Sequence, residues 1–430
     1  MEPTPPTPAP QRRRRLSSGG WVLIAVLILV LGAGLYYDVL RKPSGASEEA
    51  DAPAGGARSS SAARPSHEPQ IVTAFPESFP KIDLADGLLE APTPLQRPRG
   101  WGRRIVDLVP WTDGRPRLLL GVSGSYDILG GDLKRVGRLQ TKDWAEHLRM
   151  LRRPHAAIRA VGNFRPPLGT KGPEYTAGID EQGEVVWRWE SGREFVKALA
   201  VLYGSAGETG VVVGVGGEHG LAALDLDGRP LWQLEKKYVV YQLHTHPELP
   251  GRLLFLGGSF ELFSHGEGRD APRTLLALSQ GARDSHSSRL SPRYLGNGTL
   301  FPDAEGKASL VLAGTMLFSK EPCLLRLGED DREAWSAKPA TEIDELVLVE
   351  PPGRPRLLVA TTEGGELLVL DEDGTLRARA TLPETPQAGG RVATYALAAG
   401  PLGRDGWAIA VDLLGGTHLY RLHPEVLPAR

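Results

Sequence analysis

The stretch ALDLDGRPLW, residues Ala223–Trp232, decides the fold of this chain. It places Asp225 three residues before Gly228, and Trp232 four residues after that glycine. Three other stretches repeat this pattern in whole or in part: GIDEQGEVVW (Gly178–Trp187), VLDEDGTLRA (Val369–Ala378) and RLGEDDREAW (Arg326–Trp335). A motif that recurs along a chain indicates a repeated structural unit, because a single ligand site would occur once.

The Asp-x-Asp-Gly part of the motif is similar to the start of a calcium-binding loop, but its spacing excludes an EF-hand. Such a loop needs glycine at its sixth position and glutamate at its twelfth. Counted from Asp225, Gly228 is the fourth residue and Lys236 the twelfth. The motif instead predicts a tight hairpin turn between the last two strands of a unit, with Asp capping the turn and Gly at positive φ. The recurring tryptophans are expected to pack between neighbouring units: Trp187, Trp232 and Trp335.

A second element precedes the motif in each unit: a turn with glycine, followed by an apolar run such as GRLLFLG at Gly251–Gly257. These runs recur about every 48 residues, and they begin near Leu118, Ala157, Val211, Leu253, Leu310, Leu357 and Ala408. The clearest unit predicts four short strands, at Phe195–Tyr203, Gly210–Gly214, Gly220–Leu226 and Leu231–Glu235. Four antiparallel strands per repeat of this length are typical of one β-propeller blade. The sequence therefore predicts an all-β fold, a seven-bladed β-propeller, and leaves six or eight blades open because the first and last units are degenerate.

The last unit lacks a good fourth strand, because the chain after Leu422 is short and interrupted by proline. A segment before the first unit, within Ile71–Leu89, is expected to supply that strand. Such an exchange would close the ring and remove its free edges.

The N-terminal region predicts a membrane anchor. Trp21–Tyr37 has seventeen residues without a charge, and extension back to Leu16 gives 22, which is enough to cross roughly 30 Å of hydrocarbon. Four arginines, Arg12–Arg15, precede this stretch, so the positive-inside rule favours a cytoplasmic N-terminus and an exported remainder. A cleavable signal peptide that ends near Gly32–Gly34 is the alternative.

These features divide the chain into four parts. We expect residues 1–20 to be a disordered cytoplasmic tail, residues 21–40 a transmembrane signal-anchor helix, residues 41–85 a flexible linker and residues 86–430 the propeller. The linker prediction depends on Pro43–Gln70, where Ala, Gly, Ser and Pro dominate and too little apolar surface is present to offset the entropy cost of ordering. The expected location is the inner (cytoplasmic) membrane, single-pass, with the propeller in the periplasm or outside.

The composition narrows the classes of function. The chain has 50 basic and 52 acidic residues and a formal net charge of −2, so it lacks the overall basic character of a nucleic-acid-binding protein. Its single cysteine, Cys323, excludes an intrachain disulfide and any zinc or haem motif built on several cysteines. We expect Cys323 to be a buried apolar residue.

Two polar clusters raise the question of chemistry. His244 and His246 have a spacing that points two imidazoles the same way on a strand, where with Glu248 they could chelate a metal; a surface pair at a strand end is the favoured interpretation. Asp284 and His286 lie among serines in RDSHSSR, which suggests nucleophilic catalysis, but a triad is defined by spatial geometry and a polar loop is favoured. The sequence therefore assigns no catalytic, cofactor-binding or metal-binding residue and no cofactor.

ALDLDGRPLW and GIDEQGEVVW resemble the PQQ-like repeat of quinoprotein propellers, commonly Ala-x-Asp-x-x-x-Gly-x-x-x-Trp. Here the Asp-to-Gly spacing is one residue shorter, and the usual Thr before Gly is absent. The resemblance implies two branches. Quinoprotein dehydrogenases bind the quinone and calcium in larger eight-bladed rings, often beside a vicinal disulfide that one cysteine cannot form. The non-catalytic branch, such as the propeller subunit of bacterial outer-membrane protein assembly, uses the ring as a docking surface and carries a lipidated cysteine where this chain has its predicted helix.

Together these features predict a membrane-anchored extracytoplasmic β-propeller that acts as a protein-binding scaffold or adaptor at the cell envelope, without enzymatic activity. The expected partners are the membrane, through the N-terminal helix, and a protein of unknown identity, with no nucleic acid. The alternative is an envelope enzyme of the polysaccharide lyase or hydrolase type with its site at the propeller channel, or a PQQ-dependent dehydrogenase.

Overall fold

The computed structural model describes residues 87–95, 104–111, 113–191, 196–215, 220–234, 240–257, 259–266, 272–279, 293–316, 321–330, 332–383, 392–404 and 406–429. All of them belong to one compact unit, His67–Arg430. The predicted tail, anchor helix and linker, residues 1–85, lie outside the described residues. Within the described ranges, no helix has the length and apolar character that crossing a membrane requires.

In the described part of the chain, 28 strands form seven four-stranded antiparallel sheets, the seven blades. The first strands of blades 1 to 7 are β2 (Ile105–Pro110), β6 (Trp144–His155), β10 (Val196–Gly204), β14 (Val240–His244), β18 (Arg293–Pro302), β22 (Ile343–Val349) and β26 (Thr394–Leu402). The second strands are β3 (Pro116–Val122), β7 (Ile158–Arg165), β11 (Gly207–Val215), β15 (Arg252–Gly257), β19 (Ala308–Met316), β23 (Leu357–Thr362) and β27 (Gly406–Leu413).

The outer half of each blade consists of its third and fourth strands. The third strands are β4 (Ser125–Leu129), β8 (Tyr175–Ile179), β12 (Gly220–Asp225), β16 (Ser259–Ser264), β20 (Pro322–Gly328), β24 (Glu366–Asp371) and β28 (Thr417–Leu422). The fourth strands are β5 (Arg135–Gln140), β9 (Val185–Trp189), β13 (Pro230–Leu234), β17 (Arg273–Ser279), β21 (Glu333–Ala337), β25 (Leu376–Thr381) and, for blade 7, β1 (Thr93–Leu95).

The blades form a closed ring. Each first strand contacts the first strands of both neighbouring blades, and β26 of blade 7 contacts β2 of blade 1. The first strands therefore surround a central channel, and the seven-bladed propeller predicted from the sequence is confirmed. The alternatives of six and eight blades were wrong. The seven apolar runs of the sequence mark the second strand of each blade, which is central in its sheet and buried on both faces.

Buried side chains from two blades fill each of the seven interfaces between neighbours. The three recurring tryptophans belong to these clusters, as predicted. Trp187 of blade 2 packs with residues of blade 3, Trp232 of blade 3 with residues of blade 4, and Trp335 of blade 5 with residues of blade 6. A large aromatic side chain in this position removes much apolar surface from water at its interface.

The Asp-x-x-Gly motif forms the turn between the third and fourth strands. In blade 3, the amide of Gly228 donates to the carbonyl of Asp225 at 3.0 Å, and the Asp225 carboxylate accepts from the amides of Asp227 and Arg229 at 3.0 and 2.7 Å. Gly228 has φ +80°, a region that favours glycine. Asp180 and Asp371 cap their turns in the same way. The turn interpretation of the motif is therefore confirmed.

The same motif also receives the tryptophan of the preceding blade. The indole Nε1 of Trp187 donates to the carbonyl of Leu226 at 2.7 Å, and the ring lies so close to Gly228 that a Cβ there would be 2.6 Å from it. Trp335 repeats the contact with the carbonyl of Glu372 at 3.0 Å and with Gly374. In both pairs, the tryptophan of one blade docks on the turn glycine of the next blade.

Ring closure occurs at a different segment from the one the sequence suggested. The fourth strand of blade 7 is β1, Thr93–Leu95, which pairs with β28. Of the expected range Ile71–Leu89, the described end contributes a bridge between Leu89 and Leu422, a hydrogen bond from the His423 amide to the Leu88 carbonyl, and two buried leucines. The exchange itself is confirmed, but the closing strand lies after the predicted range. An outer strand is held by backbone pairing on one side and tolerates Pro94.

Candidate functional site

One end of the channel carries a repeated irregularity. We call this end, where the first strands begin, the upper face; the Asp-x-x-Gly turns lie at the opposite, lower face. In six of the seven described first strands, one residue near the start is skipped in the pairing with the second strand. The skipped residues are Glu146, Lys197, Tyr241, Gly296, Asp344 and Tyr395. A β-bulge redirects the side chain of its extra residue, so the five bulges whose extra residue is not glycine shape the mouth of the channel.

Two of the bulges present exposed aromatic side chains. Tyr241 of blade 4 is 62% exposed and Tyr395 of blade 7 is 43% exposed. Two loops between second and third strands add Leu168, 69% exposed, and Leu414, 43% exposed, to the same face. Aromatic side chains that combine a large apolar ring with a solvent-exposed polar group are enriched in protein–protein interfaces. The upper face is therefore the candidate docking surface among the described residues.

Tyr395 is held in place by the residues around the joint between blades 7 and 1. The guanidinium of Arg104 lies 4.9 Å from the centre of the Tyr395 ring. Its Nη1 donates to the Asp412 carboxylate and to the Leu413 carbonyl, both at 2.7 Å. Asp412 is almost fully buried and also accepts from the Thr417 hydroxyl at 2.7 Å. These bonds fix the cation that stacks on Tyr395, which lowers the entropy cost of placing that ring at an interface.

A chain of hydrogen bonds links the first strands of blades 4, 5 and 6 inside the channel. The amide nitrogen of Asn297 donates to the carbonyls of Ile343 and Asp344 at 3.3 and 2.7 Å. Its oxygen accepts from the Gln242 amide, whose own oxygen lies 3.0 Å from His244 Nε2. Because that oxygen is an acceptor, His244 Nε2 carries the donating proton. The polar groups of these side chains bond to one another, and these hydrogen bonds stiffen the wall of the channel.

The ionisable groups of the channel are shifted by their enclosure. Burial lowers the pKa of His244 to about 4, with a further contribution from the positive charge of Arg149. Burial raises the pKa of Asp107, and Arg149, 3.9 Å away, partly opposes it. Burial likewise raises the pKa of Asp344, although its carboxylate accepts from the amide of Thr394 at 2.5 Å. His244 is therefore a neutral hydrogen-bonding group near pH 7.

The two histidines singled out in the sequence do not converge. His244 ends β14 and bonds to Gln242, whereas His246 Nε2 lies 2.7 Å from the Glu350 carboxylate and its Nδ1 accepts from the Glu248 amide. His244 lies at the strand end as predicted, but it is half-buried in the channel and His246 is buried, so the prediction of a surface pair was wrong. The described residues contain no group of three or more His, Cys, Asp or Glu side chains that could hold a metal.

The sequence also singled out Cys323, Asp284 and His286. Cys323 is buried as expected and lies in the apolar cluster between blades 4 and 5. Asp284 and His286 lie outside the described residues. Sequence analysis missed Tyr241, Tyr395 and Arg104, because a β-bulge has no composition signal of its own and the partners of Arg104 lie 308 and 309 residues away along the chain.

Comparison with known proteins supports the fold alone. No protein-family model matches the sequence, and no curated protein matches it. A crystal structure of BBS1N in complex with ARL6DN, soaked with lead, aligns with a TM-score of 0.58 and 12% identity over 80% of this chain and 98% of that chain. The mercury-soaked form of the same complex gives 0.56 at 12% identity, with the same coverage. Raptor of Chaetomium thermophilum gives 0.53 at 9% identity, over 78% of this chain and 30% of its own.

Proposed function

We propose that the chain is a membrane-anchored extracytoplasmic β-propeller that binds a protein partner as a scaffold or adaptor at the cell envelope. The exposure of Tyr241 and Tyr395 on one face of the ring carries this proposal. Both are bulged residues on a rigid wall, and rigid aromatic side chains lose little entropy on binding. The similar BBS1N fold was crystallised in complex with ARL6DN, which is an example of such a ring with a protein partner.

The anchor and the location belong to the same proposal. The uncharged stretch Trp21–Tyr37 after Arg12–Arg15 supports a single membrane span with the N-terminus in the cytoplasm. The PQQ-like repeat is common to both branches of that group, and the single cysteine together with the seven blades supports the non-catalytic branch, in which the ring is a docking surface. The proposed arrangement is a propeller on a flexible tether, outside the cytoplasmic membrane.

Photocrosslinking in cells tests the partner. A photoreactive amino acid replaces Tyr241 or Tyr395 in the full chain, and Val136, which is 51% exposed on the outer strand β5, serves as the matched control. We expect discrete protein adducts from both tyrosine positions and none from Val136. Equal labelling at all three positions, or no adduct at the tyrosines, would overturn the upper face as the docking surface.

A separate experiment tests the anchor. The full chain should resist extraction of membranes with alkaline carbonate, and its mature N-terminus should still precede Trp21. A chain that begins at Gln70 should be released into the soluble fraction. A mature N-terminus just after Gly34 would instead establish the signal-peptide alternative.

A further inference from the structure

The ring is closed by a short segment with few bonds. Strand β1 has three residues, and its middle residue, Pro94, has no backbone N–H to donate. Beyond β1, the amide of Glu90 donates to the Arg421 carbonyl at 3.0 Å, and the amide of His423 donates to the Leu88 carbonyl at 2.8 Å. The segment is also held by Leu88 and Leu89, which are buried in the cluster between blades 6 and 7, so side-chain contacts across it add to this packing where backbone bonds are few.

His423 makes such a contact. Its Nε2 lies 2.7 Å from a carboxylate oxygen of Glu90, and its Nδ1 lies 2.9 Å from a carboxylate oxygen of Glu425. Glu90 belongs to the closing segment, and Glu425 to the short 3-10 helix Pro424–Val426. A carboxylate only accepts hydrogen bonds, so both contacts are hydrogen bonds only when each ring nitrogen carries a proton. In a neutral imidazole, one of the two carboxylates faces a ring nitrogen that carries no proton and cannot donate a hydrogen bond.

The surrounding charges favour the protonated ring. Burial alone would lower the pKa of His423, but its hydrogen bonds with Glu90 and Glu425 outweigh that effect and raise it above 6.5. Arg354, from the turn between β22 and β23, is a nearby cation whose guanidinium donates to the Leu427 carbonyl. A backbone hydrogen bond is the largest cause of the lowered pKa of Glu425, and the contact with His423 and the charge of Arg354 lower it further. The His423 side chain is 33% exposed, so proton exchange with solvent is unobstructed.

We propose that His423 is a proton-dependent clasp on the closure of the ring. In its charged form it ties the closing segment to the C-terminal helix by joining Glu90 to Glu425. When it loses a proton, one of the two bonds is lost and the closing segment loosens. The clasp is complete below pH 6.5 as long as both glutamates stay ionised, because His423 is then charged in the folded and the unfolded chain, and it weakens as the pH rises through the raised folded pKa. This inference is independent of the docking partner proposed above.

Hydrogen exchange of the full chain, read by mass spectrometry between pH 6 and 9, tests the clasp. Rates are converted to protection factors, which removes the intrinsic pH dependence of exchange. We expect protection of residues 87–95 to fall about two- to five-fold over this range, the size of an exposed ion pair. Protection of β11, a buried second strand, should stay constant.

Three variants make the test specific. His423→Gln should abolish the fall in protection of residues 87–95 with rising pH. Glu90→Gln should reduce that fall, because an amide can bond to either form of the ring. His155→Gln is the matched control, since among the described residues His155 of blade 2 contacts a single carboxylate, that of Asp227 in blade 3, at 3.1 Å; it should leave the pH-dependent fall in protection unchanged. A flat profile in the parent chain, or an unchanged fall in His423→Gln, would refute the clasp. If His423→Gln does not fold, an unchanged fall in Glu90→Gln would refute it as well.

Discussion

Replacement of Gly228 by alanine tests whether the turn requires glycine only for its positive φ or also because the ring of Trp187 docks on it. An alanine Cβ at this position would lie 2.6 Å from the ring of Trp187, and a Cβ at Gly178 would lie 2.4 Å from the same indole. The half-buried ring therefore packs against two glycines. The positive φ of +80° adds roughly 1–2 kcal/mol of backbone strain, and the overpacking adds roughly 1–3 kcal/mol.

Gly306 provides the matched control. It ends an Asp-x-x-Gly turn of the same kind after Asp303, at φ +75°, between the first and second strands of blade 5, and no atom lies within 4 Å of its Cβ position. We expect Gly228→Ala to reduce the free energy of unfolding by roughly 1–3 kcal/mol more than Gly306→Ala, measured by guanidinium denaturation of the full chain with circular dichroism. In a Trp187→Ala background the excess cost of Gly228→Ala should disappear. Equal costs for the two glycines would refute the docking argument.

Two further predictions concern buried polar contacts. Trp335→Phe should cost roughly 1 kcal/mol more than Trp232→Phe, because the indole of Trp335 bonds to a carbonyl, whereas Trp232 Nε1 has no partner among the residues that the structure describes. Thermal unfolding of both variants checks this, and equal losses would contradict it. Burial alone would raise the pKa of Glu350, but its bonds to His246 and Arg356 outweigh that effect and lower it below 4.5. The stabilising effect of the ionised Glu350 carboxylate is thus present above pH 4.5 and lost as the pH falls through its lowered pKa. The stability difference between the parent and Glu350→Gln should therefore shrink from about pH 6 to about pH 3. A difference that grows in acid would show the sign to be wrong.

The sequence identified the blade by features that are local in the chain. The Asp225 cap and Gly228 lie within four residues of each other, and their turn geometry follows from backbone and side-chain preferences alone. The apolar runs marked every second strand, because a strand buried on both faces needs an apolar side chain at nearly every position. His246 escaped correct assignment since its partner, Glu350, is 104 residues away.

By itself, the sequence determined the repeat, the turns and the tryptophans that fill the blade interfaces, because each depends on residue types at fixed short spacings. The tertiary structure alone decided which strand closes the ring, which bulged residues face solvent, and that Glu90 meets His423 across 333 residues. These features depend on contacts between distant segments. A one-residue bulge also reverses which face a side chain occupies, so Tyr241 and Tyr395 became a surface only once the strands were paired.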